Sequence, residues 1–116
     1  MIRFEGKAVY LSCGATDMRK SIDGLMGIVK NSFELDPFSA AVFVFCNRNR
    51  DRIKILEWDI DGFWLYFKRL EKGRFRWPKE GGEQTMNLSP EELSVLLNGV
   101  KVELKLKRKE VFERRF

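Results

Sequence analysis

The chain contains no histidine. That removes the imidazole base on which Ser-His and Cys-His nucleophiles depend, and the commonest zinc ligand with it. It has two cysteines, Cys13 and Cys46. They stand far apart and outside any paired metal-ligand spacing, so they cannot form a typical zinc site. Both read as free, buried thiols of a reducing compartment. Long apolar runs are also missing. The longest, Ala40 to Cys46, is too short to span a bilayer. The N-terminal Met1-Ile2-Arg3-Phe4-Glu5-Gly6-Lys7 is charged, unlike a secretory signal. The expected location is the cytoplasm, with no membrane partner. No phosphate-binding glycine loop and no nucleophile elbow is present.

What the chain does have is charge and aromatic side chains. Its 116 residues suit a single domain, 1–116, and 44% of them are hydrophobic, too many for a disordered chain. Lys and Arg number 22 against 17 Asp and Glu, a net charge of +5. A basic balance of that size favours an anionic partner, nucleic acid above all.

Periodicity and turn chemistry divide the chain into elements. Ala8-Val9-Tyr10-Leu11 reads as a strand ended by Gly14. Thr16 or Asp17 caps an expected helix over 17–31, with Met18, Ile22, Leu25, Met26 and Val29 on one stripe. Ala40 to Cys46 is apolar on both faces and is expected at the centre of a sheet. A loop over 47–50 leads to a strand over 52–58. The turn Asp59-Ile60-Asp61-Gly62, with Gly62 placed for positive φ, leads to a strand over 63–70. Arg74 to Trp77 is expected as a short fourth strand stopped by Pro78, and Lys79 to Glu83 as a polar loop. Ser89-Pro90-Glu91-Glu92 is a helix start, with Leu93, Leu96 and Leu97 following. Lys101 to Lys107 alternates as a half-exposed strand does, and the charged 108–116 tail is expected to fray. The fold class is α+β: an antiparallel meander with one helix on its core face and a second helix near the C-terminus.

With four-residue loops at 47–50 and 59–62, Phe45 faces Arg52, Phe43 faces Lys54, and Lys54 faces Phe67. Alternation then sorts two faces. Val42, Val44, Cys46, Ile53, Ile55, Trp64 and Tyr66 share one, expected against the 17–31 helix. Phe43, Phe45, Arg52, Lys54, Phe67 and Arg69 share the other. Aromatics mixed with cations are what base-stacking sheets present. Three exposed phenylalanines are costly in a free protein, so a second layer, the 90–98 helix, is expected to cover them.

Arg48, Arg50, Arg52 and Lys54 outnumber Asp51 around the loop tip and are the expected phosphate contacts. Lys68, Arg69, Arg74 and Arg76 extend the basic surface along the hairpin. Trp58, Phe75 and Trp77 are the expected partner-docking aromatics. Asp59-Ile60-Asp61 has the form of a metal-binding carboxylate pair, with Asp17, Asp23 and Glu57 as further candidates. Acids before a glycine are more often turn formers, so no metal, cofactor or catalytic residue is expected. Ser12 to Asp17 leads into a helix N-terminus, read as a simple cap.

Between residues 9 and 78 the chain carries Val9-Tyr10-Leu11, Cys13-Gly14, Thr16-Asp17-Met18-Arg19-Lys20, Ile22-Asp23-Gly24-Leu25, Leu35-Asp36-Pro37-Phe38-Ser39, Arg50-Asp51-Arg52-Ile53-Lys54-Ile55-Leu56, Asp61-Gly62-Phe63, Lys68-Arg69-Leu70-Glu71-Lys72-Gly73 and Phe75-Arg76-Trp77-Pro78, in that order. In these motifs it resembles TnpB, the second open-reading-frame product of the insertion-sequence family sixty-six. Ala15 and Ser21 stand where relatives often carry Pro and Gly. The resemblance implies a non-enzymatic accessory role in transposition, beside a transposase and a second accessory protein. With the basic hairpin, it leads to the expectation of binding to element-end DNA. The alternative is docking on the transposase without DNA contact.

Overall fold

The computed structural model describes residues 4–98. The strand expected over 101–107 and the tail over 108–116 lie outside the described residues. The elements are β1 (Ala8–Ser12), α1 (Ile22–Gly27) running into a wider π-turn (Ile28–Ser32), β2 (Ala41–Cys46), β3 (Arg52–Asp59), β4 (Gly62–Arg69), β5 (Thr85–Leu88) and α2 (Pro90–Leu96). The class is α+β. The five strands lie in the order β4-β3-β2-β1-β5. β2, β3 and β4 form the expected antiparallel meander. β1 runs parallel to β2 through the helical crossover, and β5 adds antiparallel to β1 at the edge, so the sheet as a whole is mixed.

All six residues of β2 are buried, which requires cover on both faces. The cover is the reverse of the sequence expectation. α1 packs on the phenylalanine face, where Leu25 and Val29 meet Phe43, Phe45 and Leu56. The opposite face, Val42, Val44, Cys46, Ile53 and Ile55, is covered by Phe4, Phe75, Trp77, Leu93 and Leu96. Alternation sorts side chains into two faces. Which face receives the helix depends on the hand of the β1–α1–β2 crossover, and a meander has no such crossover.

Several local expectations shift for physical reasons. The β2–β3 register pairs Phe45 with Lys54 and Val44 with Ile55, two residues from the expected pairing. The shift is even, so the faces are preserved. Residues 74–77 are not a strand. They cross the face as an extended strap, held by Trp77 Nε1 donating to the Ser12 carbonyl at 2.8 Å and by Phe75 N–H donating to the Arg50 carbonyl at 2.6 Å. α1 begins after Ser21 because Asp17 is taken up in a turn. Its carboxylate accepts from the Arg19 backbone at 2.9 Å and from the Arg19 guanidinium. α2 starts as expected, with a reciprocal Ser89–Glu92 capping box and Pro90 in its first turn.

The β3–β4 turn carries its positive φ on Ile60 (φ 57°) rather than on Gly62. A β-branched residue in that region is strained, and Ile60 is 87% exposed, so its side chain recovers little by packing. Ile60→Gly should raise stability by about 1 kcal/mol, read as a higher denaturation midpoint at unchanged m-value. Phe45 is 0% exposed, and Phe45→Ala should cost about 3–5 kcal/mol in the same assay.

Candidate nucleic-acid interface

One end of the sheet gathers the carboxyl ends of β1, β2 and β4 and the starts of β3 and β5. The β2–β3 loop closes there around Asn47. Its Oδ1 accepts from the backbone N–H groups of Asp51 and Arg52, both at 3.0 Å, and its Nδ2 donates to Asp51 Oδ1 at 2.7 Å. Arg50 takes a left-handed conformation, φ 61°. Leu70 N–H donates to the Asp51 carbonyl at 2.8 Å. With the Phe75–Arg50 bond, this seats the 70–75 segment against the hairpin loop.

Two loops therefore bring Arg48, Arg50, Arg52, Arg69, Lys72 and Arg74 together, with Asp51 and Glu71 as the interspersed acids. The Asn47 amide, followed by the charges of Arg52 and Arg74, holds the Asp51 carboxyl below its ordinary range. The opposite end of the sheet is acidic, with Asp59 and Asp61 at the β3–β4 turn and Asp36 before β2. Within the β2–β3–β4 meander the cations thus gather at one end and these acids at the other.

Arg52 and Arg69 are direct cross-strand partners. Like charges placed so are destabilising by about 0.2–1 kcal/mol. Each has a neighbouring acid, Asp51 at 3.2 Å and Glu71 at 2.9 Å, but exposed pairs of this kind contribute little. Arg48 and Arg74 are exposed, and Arg50 is half-buried. Lys54 has a structural engagement: its Nζ donates to the carbonyls of Met18 and Lys20, both at 2.8 Å. Lys68 lies on the other face and donates to the Leu97 carbonyl at 2.7 Å. Arg76 is half-buried in the strap.

The aromatics separate sharply. Phe43 (1%) and Phe45 (0%) are core, as expected, but under α1 rather than the 90–98 helix; Phe67 is 56% exposed. Phe75 (0%) and Trp77 (8%) are also core, which corrects their assignment as docking residues: the strap buries them on the Val42 face. Trp58 is half-buried against Phe38 and Phe63, ring centres 5.0 Å from each. Arg19, read from sequence only as a helix residue, lies in the Asp17 turn and lines a groove of about 520 Å³ with Asp17, Met18, Arg52, Lys54 and Phe67. The Asp-x-Arg spacing was the one available signal.

A second groove of about 500 Å³ beside Cys13 includes Glu80 and Glu83 in its lining, a poor setting for phosphate. Burial and those two acids raise the Cys13 thiol, and burial pushes Cys46 up to about 12. Asp59 accepts from Trp64 Nε1 at 3.0 Å. Among the described residues no three His, Cys, Asp or Glu side chains gather as a metal site.

The family model described as IS66 Orf2-like protein matches residues 7–107. The chain belongs to the IS66 Orf2-like family. Two uncharacterized proteins of Sinorhizobium fredii are similar to it. One, y4hO, is 39% identical over 93 residues, covering 79% of this chain and 79% of its own. The other, y4jC, is 33% identical over 97 residues, covering 82% and 80%. No solved structure matches. IS66 Orf2-like membership suggests an accessory role in transposition, and the family is not a known enzyme class. Among the described residues no helix is long and apolar enough to cross a membrane.

Away from the basic end, Glu57 is buried and joins Lys7 Nζ at 2.6 Å to the Tyr66 hydroxyl at 2.7 Å. Burial, then the bond to Glu57, pushes Tyr66 up to about 12 from 10.0. The native state holds this proton more tightly than the unfolded chain does. The contribution is therefore complete below pH 10 and is lost as pH rises toward 12. Tyr66→Phe should flatten the fall in stability over that window, measured by urea denaturation at successive pH values.

Proposed function

We propose that this IS66 Orf2-like protein is a non-enzymatic accessory factor of transposition that binds DNA, at the element ends, through the basic end of its sheet. The observation that carries this reading is the Arg52–Arg69 cross-strand pair. Two arginines occupy directly opposed positions of β3 and β4, where sheet stability alone favours almost any other combination. A phosphate between them relieves the repulsion, and a planar guanidinium suits bidentate phosphate contact. Arg48 and Arg74 extend the same surface onto the loops, and the acidic opposite end orients the molecule toward a polyanion. Arg50 belongs to this surface. Lys54 acts by fastening the 18–20 backbone to β3. Lys68 and Arg76 face or fill the other layer and are not central to it.

A second reading, docking on the transposase or on the element's other accessory protein, is supported at the acidic end. Phe38 is 51% exposed and Ile60 87%, beside Trp58 and Phe63. Phe38→Ser would weaken capture of the purified transposase if that face docks it.

The DNA reading is tested by fluorescence anisotropy on element-end duplex over a salt series. Arg48→Ala with Arg74→Ala should reduce the slope of log K against log salt by about two, one unit for each lost phosphate contact. Arg69→Thr should weaken binding while raising stability by about 0.5 kcal/mol. Slopes equal to wild type in both variants, with circular dichroism unchanged, would overturn the reading.

A further inference from the structure

Phe67 stands apart from the other phenylalanines of the sheet. It lies on the α1 face of β4, directly opposite Lys54, yet it is 56% exposed while Phe43 and Phe45 on the same face are closed off. α1 begins only at Ile22 and leaves this corner uncovered. The residues before it, 17–19, form a wall instead, and β3 and β4 form the floor of the groove that contains Phe67. Wall and floor are tied together by the two bonds from Lys54 Nζ to the carbonyls of Met18 and Lys20. On the wall, Asp17 and Arg19 form an exposed ion pair at 2.7 Å. The groove is therefore held open with an aromatic ring on its floor. Arg52 lines it, and Arg69 lies across from Arg52.

A ring exposed beside guanidinium groups on a rigid sheet meets the requirements for stacking a nucleobase whose phosphate is held alongside. A paired base inside a duplex offers no such face. We infer that the groove around Phe67 is a subsite for an unpaired nucleobase, so that the basic end takes single-stranded nucleic acid or a frayed end in preference to intact duplex. The inference rests on the phosphate-binding reading of the same end. Arg52 and Arg69 supply the phosphate contact, Phe67 supplies the stacking surface, and Lys54 is a positioning residue that keeps the 17–19 wall in place.

The test compares three probes of equal length by anisotropy: a thymidine oligomer, the same strand with abasic sites throughout, and a blunt duplex. Phe67→Ala should lower affinity for the thymidine oligomer about tenfold, within the range of a single base stack. It should leave the abasic strand and the duplex within about twofold of wild type, since phosphate contacts dominate there. Phe67→Trp should keep tight binding and show quenching of the added indole on titration with the oligomer. Phe67→Leu, apolar but without a ring face, should behave as Phe67→Ala does. The thermal midpoints of all three variants should match wild type, because the side chain is exposed. Equal losses on all three probes, or none on the thymidine oligomer, would overturn the subsite. The phosphate reading is judged separately. If Arg48→Ala with Arg74→Ala, and Arg69→Thr, all leave abasic-strand and duplex binding unchanged, that reading fails. If those changes weaken both probes while Phe67→Ala alters nothing, the base subsite alone fails.

Discussion

The burial of β2 on both faces is the constraint from which the rest of the structure follows. Ala41 to Cys46 carries an uninterrupted apolar sequence, and a strand of that kind is stable only between two layers. One layer is α1 with its π-turn, bringing Leu25 and Val29 onto Phe43 and Phe45. The other is assembled from distant pieces: Phe4, the strap through Phe75 and Trp77, and α2 through Leu93 and Leu96. The strap has to cross the sheet to reach Val42 and Val44. In doing so it carries Arg74 past the hairpin loop, where backbone bonds to Arg50 and Asp51 fix it. The basic end is thus a consequence of how the second layer is built.

Much of this was legible in the sequence, for reasons that can be named. The run 40–46 announced a central strand because nothing polar interrupts it. The β3–β4 register followed from turn length, and Lys54 does face Phe67 and Ile55 does face Tyr66. Ser89-Pro90-Glu91-Glu92 specified the start of α2 through local capping chemistry alone. What escaped were features decided by long-range packing. β5, Thr85-Met86-Asn87-Leu88, is four residues long with an exposed middle. Edge pairing to β1 makes it a strand, without any strong pattern of its own. Arg74 to Trp77 alternates like a strand, but its aromatics are spent filling one face and its backbone bonds go to loops. The fate of Phe75 and Trp77 depended on that distinction.

The candidate site divides along the same line. Arg48, Arg50 and Arg52 were apparent as a local cluster. Their partnership with Arg69 follows from register, and the arrival of Arg74 from the strap. Lys54 belonged to the cluster by sequence, yet two backbone carbonyls claim its ammonium group. The mixed aromatic and cationic face also proved to have two fates. Its inner part is core beneath α1, and only its outer corner, at Phe67, stays open because the helix starts late.

The central claim is that the basic end of the sheet, and not the acidic end, meets nucleic acid. Amide chemical-shift mapping on isotope-labelled protein titrated with element-end DNA tests it directly. The account predicts salt-sensitive shifts at 17–20, 48–54 and 67–75, with 36–38 and 59–61 unmoved. Shifts concentrated at Phe38 and at Asp59 to Asp61, with the hairpin loop silent, would contradict it.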